Sequence, residues 1–193
     1  MNRPQLNDVD RGQVGIGTLI VFIALVLVAA VAAGVLINTA GELQSRASDT
    51  GDDAQAQVSN QIDVVSATGD TGGSGGVDTL TLVVKKSPGS DPIDLSEATI
   101  QYTSADNSTT LTQAGSPSGT EFGTAAVAGG GSATVLDDNG ERIEITVDVE
   151  SIESSGGLQA GDDAELQIVD QSGATTTYGV NVPDVLTGQY APV

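Results

Sequence analysis

The hydrophobic positions along the chain fall into three unlike patterns. Residues 14–37 form a run of 24 without a charge, and Thr18 is its one strongly polar interruption. At ~1.5 Å per residue such a run makes a helix of ~36 Å, longer than the ~30 Å hydrocarbon core of a bilayer. Beyond it, Leu43, Ala47, Ala54, Val58, Ile62 and Val65 recur at steps of four, seven, four, four and three. Such steps keep one apolar stripe on an otherwise polar helix. The two patterns together predict one rod, apolar all round in its first half and on one face in its second. It runs continuously from Val14 to about Val58, with the stripe carried on to Val65.

The third pattern begins after TGDTGGSGG at 68–76, a stretch that ends helical periodicity and reads as a flexible linker between rod and head. Short β-branched, alternating runs follow at 79–85, 98–103, 108–113, 124–127, 133–136, 142–149, 164–169 and 175–182, punctuated by Gly and Pro. Asp138, Asn139 and Gly140 suit a hairpin turn, as do Gln171, Ser172 and Gly173. Eight short strands predict an all-β, immunoglobulin-like sandwich or barrel. The fold class is therefore α+β, a long N-terminal hydrophobic helix followed by a β head. The expected divisions are a leader at 1–12, the helix at 13–66, the Gly-rich linker at 67–76 and the head at 77–193.

Composition narrows the chemistry. The chain has no Cys and no His, which removes thiol and imidazole nucleophiles, Ser/His/Asp triads, Cys or His zinc sites and disulfides. Acidic residues number 26 against six basic ones, for a net charge of −20. A surface so charged lacks the cations a nucleic acid would need. It suits molar salt, where the Debye length falls to ~3 Å and like charges stop repelling across the surface. The head has four aromatic residues, Tyr102, Phe122, Tyr178 and Tyr190, too few for a sugar-stacking cleft between paired acids. Gly72, Gly73, Gly75 and Gly76 precede a strand, whereas a phosphate loop follows one and opens a helix. The chain reads as no enzyme, with no catalytic residue, no cofactor and no metal site. The acidic groups Asp137, Asp138, Glu141 and Asp162, Asp163, Glu165 do not fit the calcium-loop pattern and read as solvated carboxylates.

Asn107, Ser108 and Thr109 form an N-x-S/T sequon in a polar turn between two predicted strands, so Asn107 is a candidate N-glycosylation acceptor. In the apolar run, Ala29 with Ala33 and Ala30 with Gly34 place small residues four apart, a spacing that lets helix backbones approach closely. Val14, Ile16, Leu19, Ile20, Phe22, Ile23, Leu25, Val26, Leu27, Val31, Val35, Leu36 and Ile37 supply the apolar surface that must be buried somewhere.

The string Arg11, Gly12, Gln13, Val14, Gly15, Ile16, Gly17, Thr18, Leu19, leading into VFIALVLVAAVAAGVLINTA, resembles the N-terminus of archaeal flagellins (archaellins), especially those of salt-loving archaea. The likeness covers about residues 8–66, with a weaker echo at 161–183. It implies that a membrane prepilin-type peptidase cuts after the basic-Gly pair Arg11 and Gly12, so that the mature chain begins at Gln13 with Gly15 third. It implies a filament whose core is made of packed N-terminal helices and whose outside is made of β heads. The implied partners are identical or closely related archaellin subunits and the archaellum motor and assembly machinery, reached after transient membrane insertion. Bacterial type IV pilins carry a Glu at the fifth mature position; Gly17 stands there in this chain, so subunit register has to come from shape. The rival readings are an adhesion pilin and a membrane-anchored acidic surface protein that does not polymerise.

Overall fold

The computed structural model describes residues 8–72, 75–128, 131–186 and 188–193. Of the expected leader, residues 1–7 lie outside the described residues, whereas 8–12 are already helical. Helix α1 spans Asp8–Ser59, 52 residues. Its apolar part is barely interrupted because each hydroxyl satisfies itself on its own helix: Thr18 Oγ1 donates to Gly15 O at 2.9 Å and Thr39 Oγ1 to Val35 O at 2.9 Å. Such back-bonding hides the polar atom against the backbone. Farther along, Thr50 Oγ1 donates to Arg46 O, and Arg46 pairs with Glu42 at 2.8 Å.

The helix ends sooner than its stripe. Asn60 N–H makes the final helical bond, to Ala56 O, and Ile62–Asp70 is strand β1. Ile62 and Val65 therefore belong to a strand, which corrects the reading of 13–66 as helix. The run Ile62, Val64, Val65 is β-branched and stiff at χ1, a local preference for strand that outweighs the coincidence of helical spacing. Val65 is the extra residue of a β-bulge: Val64 pairs with Val84 and Ser66 with the adjacent Val83. The expected linker is likewise partly structure, since 67–70 complete β1, and Thr71, Gly76 and Val77 are buried. The compact head unit begins at Asp52 and takes in the last turns of α1.

The other strands are β2 (Thr79–Lys86), β3 (Ile93–Asp94), β4 (Thr99–Ser104), β5 (Ser108–Ala114), β6 (Glu121–Ala128), β7 (Val135–Leu136), β8 (Arg142–Asp148), β9 (Asp163–Val169), β10 (Thr175–Asn181) and β11 (Tyr190–Pro192), with a short helix α2 (Val149–Ile152) after β8. Eight of them sit where alternation predicts strands; β1, β3 and β11 have no such signal. Nine strands form one sheet in the order β10-β9-β4-β5-β6-β8-β2-β1-β11, and β3 pairs with β7. The sheet rolls over until its ends meet: Thr176 Oγ1 of β10 donates to Ile62 O of β1 at 3.2 Å, and Tyr178 OH donates to Val193 O at 3.1 Å.

One face of each strand fills the roll. Leu80, Leu82 and Val84 of β2, Ile143, Ile145 and Val147 of β8, Ile100 and Tyr102 of β4, and Leu166 and Ile168 of β9 are all buried, alternating with exposed or half-buried neighbours. This is the period-2 pattern expected where one sheet face meets the core and the other meets water. Of the two expected hairpins, that at Gln171, Ser172 and Gly173 joins β9 to β10, with Asp170 Oδ1 accepting Ser172 N–H and Ala174 N–H. The turn at Asp138, Asn139 and Gly140 is not a hairpin: β7 pairs with β3, and β8 with β2 and β6.

Candidate assembly surface and head sites

The apolar residues that the sequence singles out all lie on α1, and they are exposed. Val14, Ile16, Leu19, Ile20, Phe22, Ile23, Leu25, Val26, Leu27, Val31, Val35, Leu36 and Ile37 range from 52% exposed at Val26 to 71% at Ile37. Because exposure is similar all round, no face of the helix is reserved for the protein's own core. An 18-residue window here reaches a mean hydropathy of 3.2. Burying one large aliphatic side chain is worth about 1.5–3 kcal/mol. Leaving the whole belt in water costs tens of kcal/mol, several times the net stability of a typical domain. Ridges of the belt enclose apolar grooves, one lined by Phe22, Ile23, Val26, Leu27 and Ala30 and another by Gly17, Thr18, Val21, Phe22 and Leu25. Grooves between such rows are what a neighbouring helix packs its ridges into. Ala29, Ala30, Ala33 and Gly34 lie within the belt, and a Cβ at Gly34 would meet nothing within 4 Å in the single chain.

Arg11, Gly12, Gln13 and Gly15 lie in the first turns of α1, and the Arg11 side chain falls outside the described residues. Cβ atoms at Gly12, Gly15 and Gly17 would also meet nothing within 4 Å. Glycine costs a helix ~1 kcal/mol relative to alanine, so three glycines within six residues lower the helix propensity of this end of α1.

Asn107 does sit in the turn between β4 and β5, as expected, but it is half-buried and points inward. Its Nδ2 donates to Glu153 Oε2 at 2.6 Å, and Tyr102 OH donates to Glu153 Oε1 at 2.7 Å. Glu153 is 7% exposed and Tyr102 fully buried. Burial pushes the Glu153 carboxyl upward, but hydrogen bonds from Ser104, Tyr102 and Asn107 outweigh that and hold it below the ordinary carboxylate range. The Tyr102 hydroxyl is driven well above its ordinary value, first by burial and then by the adjacent Glu153 carboxylate. Nothing in the sequence marks Glu153 as the partner of Asn107; the signal available was an acid following an amphipathic turn, which is common.

The acidic groups serve the backbone. Glu141 Oε2 accepts N–H of both Asp137 and Asp138, and buried Lys86 Nζ donates to Asp137 O at 2.6 Å. The bond between their carboxyl groups raises the pKa of Asp137 and lowers that of Glu141. Asp162 Oδ2 accepts Gln159 N–H at 2.9 Å. Among the described residues no three carboxylates are placed to share a metal ion.

A helix rich in unpartnered apolar surface joined to a rolled acidic β head defines a structural subunit that must associate. Its relatives identify the kind. A family model for archaeal-type flagellin matches residues 12–180. Flagellin B2 of Halobacterium salinarum is 50% identical over 185 residues, covering 94% of each chain, and flagellin A2 of Haloferax volcanii is 41% identical over 208, covering 95% of this chain and 94% of its own. The fold resembles that of the archaeal flagellum of Methanospirillum hungatei, with a TM-score of 0.67 and 24% identity over 91% of this chain and 98% of that one. It also resembles a crystal structure of flagellin FlaB1 from Methanocaldococcus jannaschii, with a TM-score of 0.62 and 16% identity over 69% and 96%. The chain belongs to the archaeal-type flagellins. It is a structural subunit of the archaellum, not an enzyme, and its family forms extracellular filaments.

Proposed function

We propose that the chain is inserted in the membrane as a precursor, cut between Gly12 and Gln13 by a prepilin-type peptidase, and then packed by α1 into the core of the rotating swimming filament. The single observation that carries this is the all-round exposure of the apolar belt on α1. Once the polar leader is removed, the belt can leave lipid only for another dry environment, and copies of the same helix supply it. The peptidase has to reach a bond that lies in helix, and the glycines at 12, 15 and 17 make local unwinding there inexpensive. The acidic β head faces water, and the archaellum motor and assembly machinery turn and extend a polymer that has no nucleotide chemistry of its own. Asn107 carries an N-linked glycan on that outer layer. Terminal sequencing of native filaments is expected to begin at Gln13. Filaments whose subunits retain residues 1–12, or native material found as dispersed membrane-bound monomers, would end this reading.

A further inference from the structure

We propose that Asn107 can accept its glycan only before the head folds, because the folded head holds the acceptor nitrogen against the buried Glu153 carboxylate. This rests on the reading of Asn107 as a glycosylated residue.

The atom that must be modified is Asn107 Nδ2, and its lone pair is delocalised into its own carbonyl. While so conjugated the nitrogen is a poor nucleophile, and activating it in an enzyme's site needs a side chain free to reorient. In the transfer, Nδ2 forms a bond to the anomeric carbon of a lipid-linked sugar phosphate. The bond from that carbon to the phosphate oxygen breaks, the phosphate departs with the electron pair, and one Nδ2 proton passes to a base on the transferase. In the folded head Nδ2 is 2.6 Å from Glu153 Oε2, a short bond to an ionised acceptor. Glu153 cannot swing away, because it is 7% exposed and its other oxygen holds Tyr102 OH.

The backbone of the sequon is pinned as well. Asn107 N–H donates to Ser104 Oγ at 3.1 Å, and Asn107 O accepts Ser104 N–H at 2.8 Å. Ser108 and Thr109 are already in β5, paired with Thr103 and Tyr102 of β4. An acceptor peptide that has to lie in an enzyme's cleft cannot do so while it is the second strand of a hairpin whose other side is bonded to β9.

Chain order supplies the opportunity. Glu153 follows Asn107 by 46 residues, and β9, which closes β4 on its other side, comes later still. At ~5–20 residues per second Glu153 is synthesised about 2–9 s after Asn107, so the sequon always enters the outer space ahead of the residue that later holds it. Modification leaves a secondary amide with one N–H, enough to restore the bond to Glu153 afterwards. A small cleft lined by Ser104, Ala105, Asp106 and Glu153 lies beside the site.

The test uses full-length protein from cells lacking the transferase, presented to transferase-containing membranes and lipid-linked donor either folded in molar salt or freshly diluted from denaturant. The readout is the mass of the Asn107 peptide. The unfolded chain is expected to be modified at least about tenfold faster, since transfer to the folded form waits on local opening. In cells, pulse-labelled chains should carry the glycan before the head becomes protease-resistant. Equal rates for the two forms, or a glycan that appears only after protease resistance, overturns the proposal while leaving glycosylation intact. Bare Asn107 in native filaments together with no transfer to either form overturns both.

Discussion

The Ser90 hydroxyl accepts the backbone N–H of Gln61 at 3.0 Å and donates to the carbonyl of Ser59 at 3.1 Å. One buried side chain thereby satisfies the end of α1 and the start of β1 at once. Asn60 between them is also buried, and its Oδ1 accepts Asp91 N–H at 2.9 Å. Gln61 O accepts Ser87 N–H, and Gln57 Nε2 of the last helical turn donates to Gly173 O at 3.3 Å. Helix C-termini leave carbonyls unsatisfied; here they are used to weld the final turn of α1 to the loop after β2.

Ser90→Ala removes both bonds, and with them the side-chain partner of Gln61 N–H and Ser59 O at this partly buried turn. The expected loss is about 0.5–1.5 kcal/mol of head stability, read as an earlier denaturation midpoint, with faster hydrogen exchange at the Gln61 amide. Ser90→Thr, which keeps the hydroxyl, should recover most of it. Unchanged exchange at Gln61 in the alanine variant would show that the joint is held by something else.

Glu153 predicts an acid limb. Its carboxyl lies below the ordinary carboxylate range when folded, so the unfolded chain binds the proton more readily. Its contribution is complete above the unfolded pKa and is lost as pH falls below the ordinary carboxylate range and through the lower folded value. Glu153→Gln should flatten this limb while lowering stability at neutral pH. Tyr102 has the opposite sign: its raised pKa contributes stability that is lost as pH rises past the ordinary tyrosine value of 10.0. Tyr102→Phe removes that alkaline limb, and a pH–stability profile of the three proteins checks both.

Much of this was legible in the residues because local and global demands agree. The uncharged run at 14–37 can be nothing but a helix with no core of its own to enter, and strict alternation such as that of β2, Thr79–Lys86, admits one face only. Where the signals fail, two patterns overlap. Ile62 and Val65 continue a helical spacing, yet their branched side chains and the anchored Asn60 turn the chain into a strand. The Gly-rich stretch imitates a linker, but Gly69 is buried against Val77 because no side chain fits there. The strands β3 and β11 span only Ile93–Asp94 and Tyr190–Pro192, too short to show a period. Asn107 reads correctly as a turn residue, whereas its contact with Glu153 is set by packing at long range, which spacing does not record.

The belt on α1 can be probed where the single chain is indifferent. A Cβ at Gly34 meets nothing within 4 Å, and replacing a helical glycine gains up to ~1 kcal/mol of helix propensity. Gly34→Leu should therefore leave the precursor, its membrane insertion and the head's denaturation unchanged. Filaments should nevertheless fail to form or be sharply fewer, because Ala30 and Gly34 mark where backbones approach. Normal filaments in electron micrographs of this variant would place the close contacts elsewhere on the helix.

The net charge of −20 makes assembly depend on salt. Removing residues 1–12 does not relieve it, since Arg3 and Arg11 balance Asp8 and Asp10. In the head, Lys85 is paired with Asp63 at 3.1 Å and Lys86 is buried, whereas Asp162, Asp163 and Glu165 are exposed. Heads brought together in a polymer are therefore expected to meet acid to acid with few cations to bridge them. In molar salt the screening length is ~3 Å and the repulsion is local; at 0.1 M it is ~10 Å, long enough to act between adjacent subunits. Dilution from molar to ~0.1 M potassium chloride should loosen or dissociate the filaments, seen as a loss of sedimentable polymer. Diluting into sucrose at equal osmolarity should not rescue them, because an excluded solute strengthens apolar burial without screening charge. Filaments that sediment equally at both salt concentrations would mean that the helix core alone outweighs the repulsion of the heads.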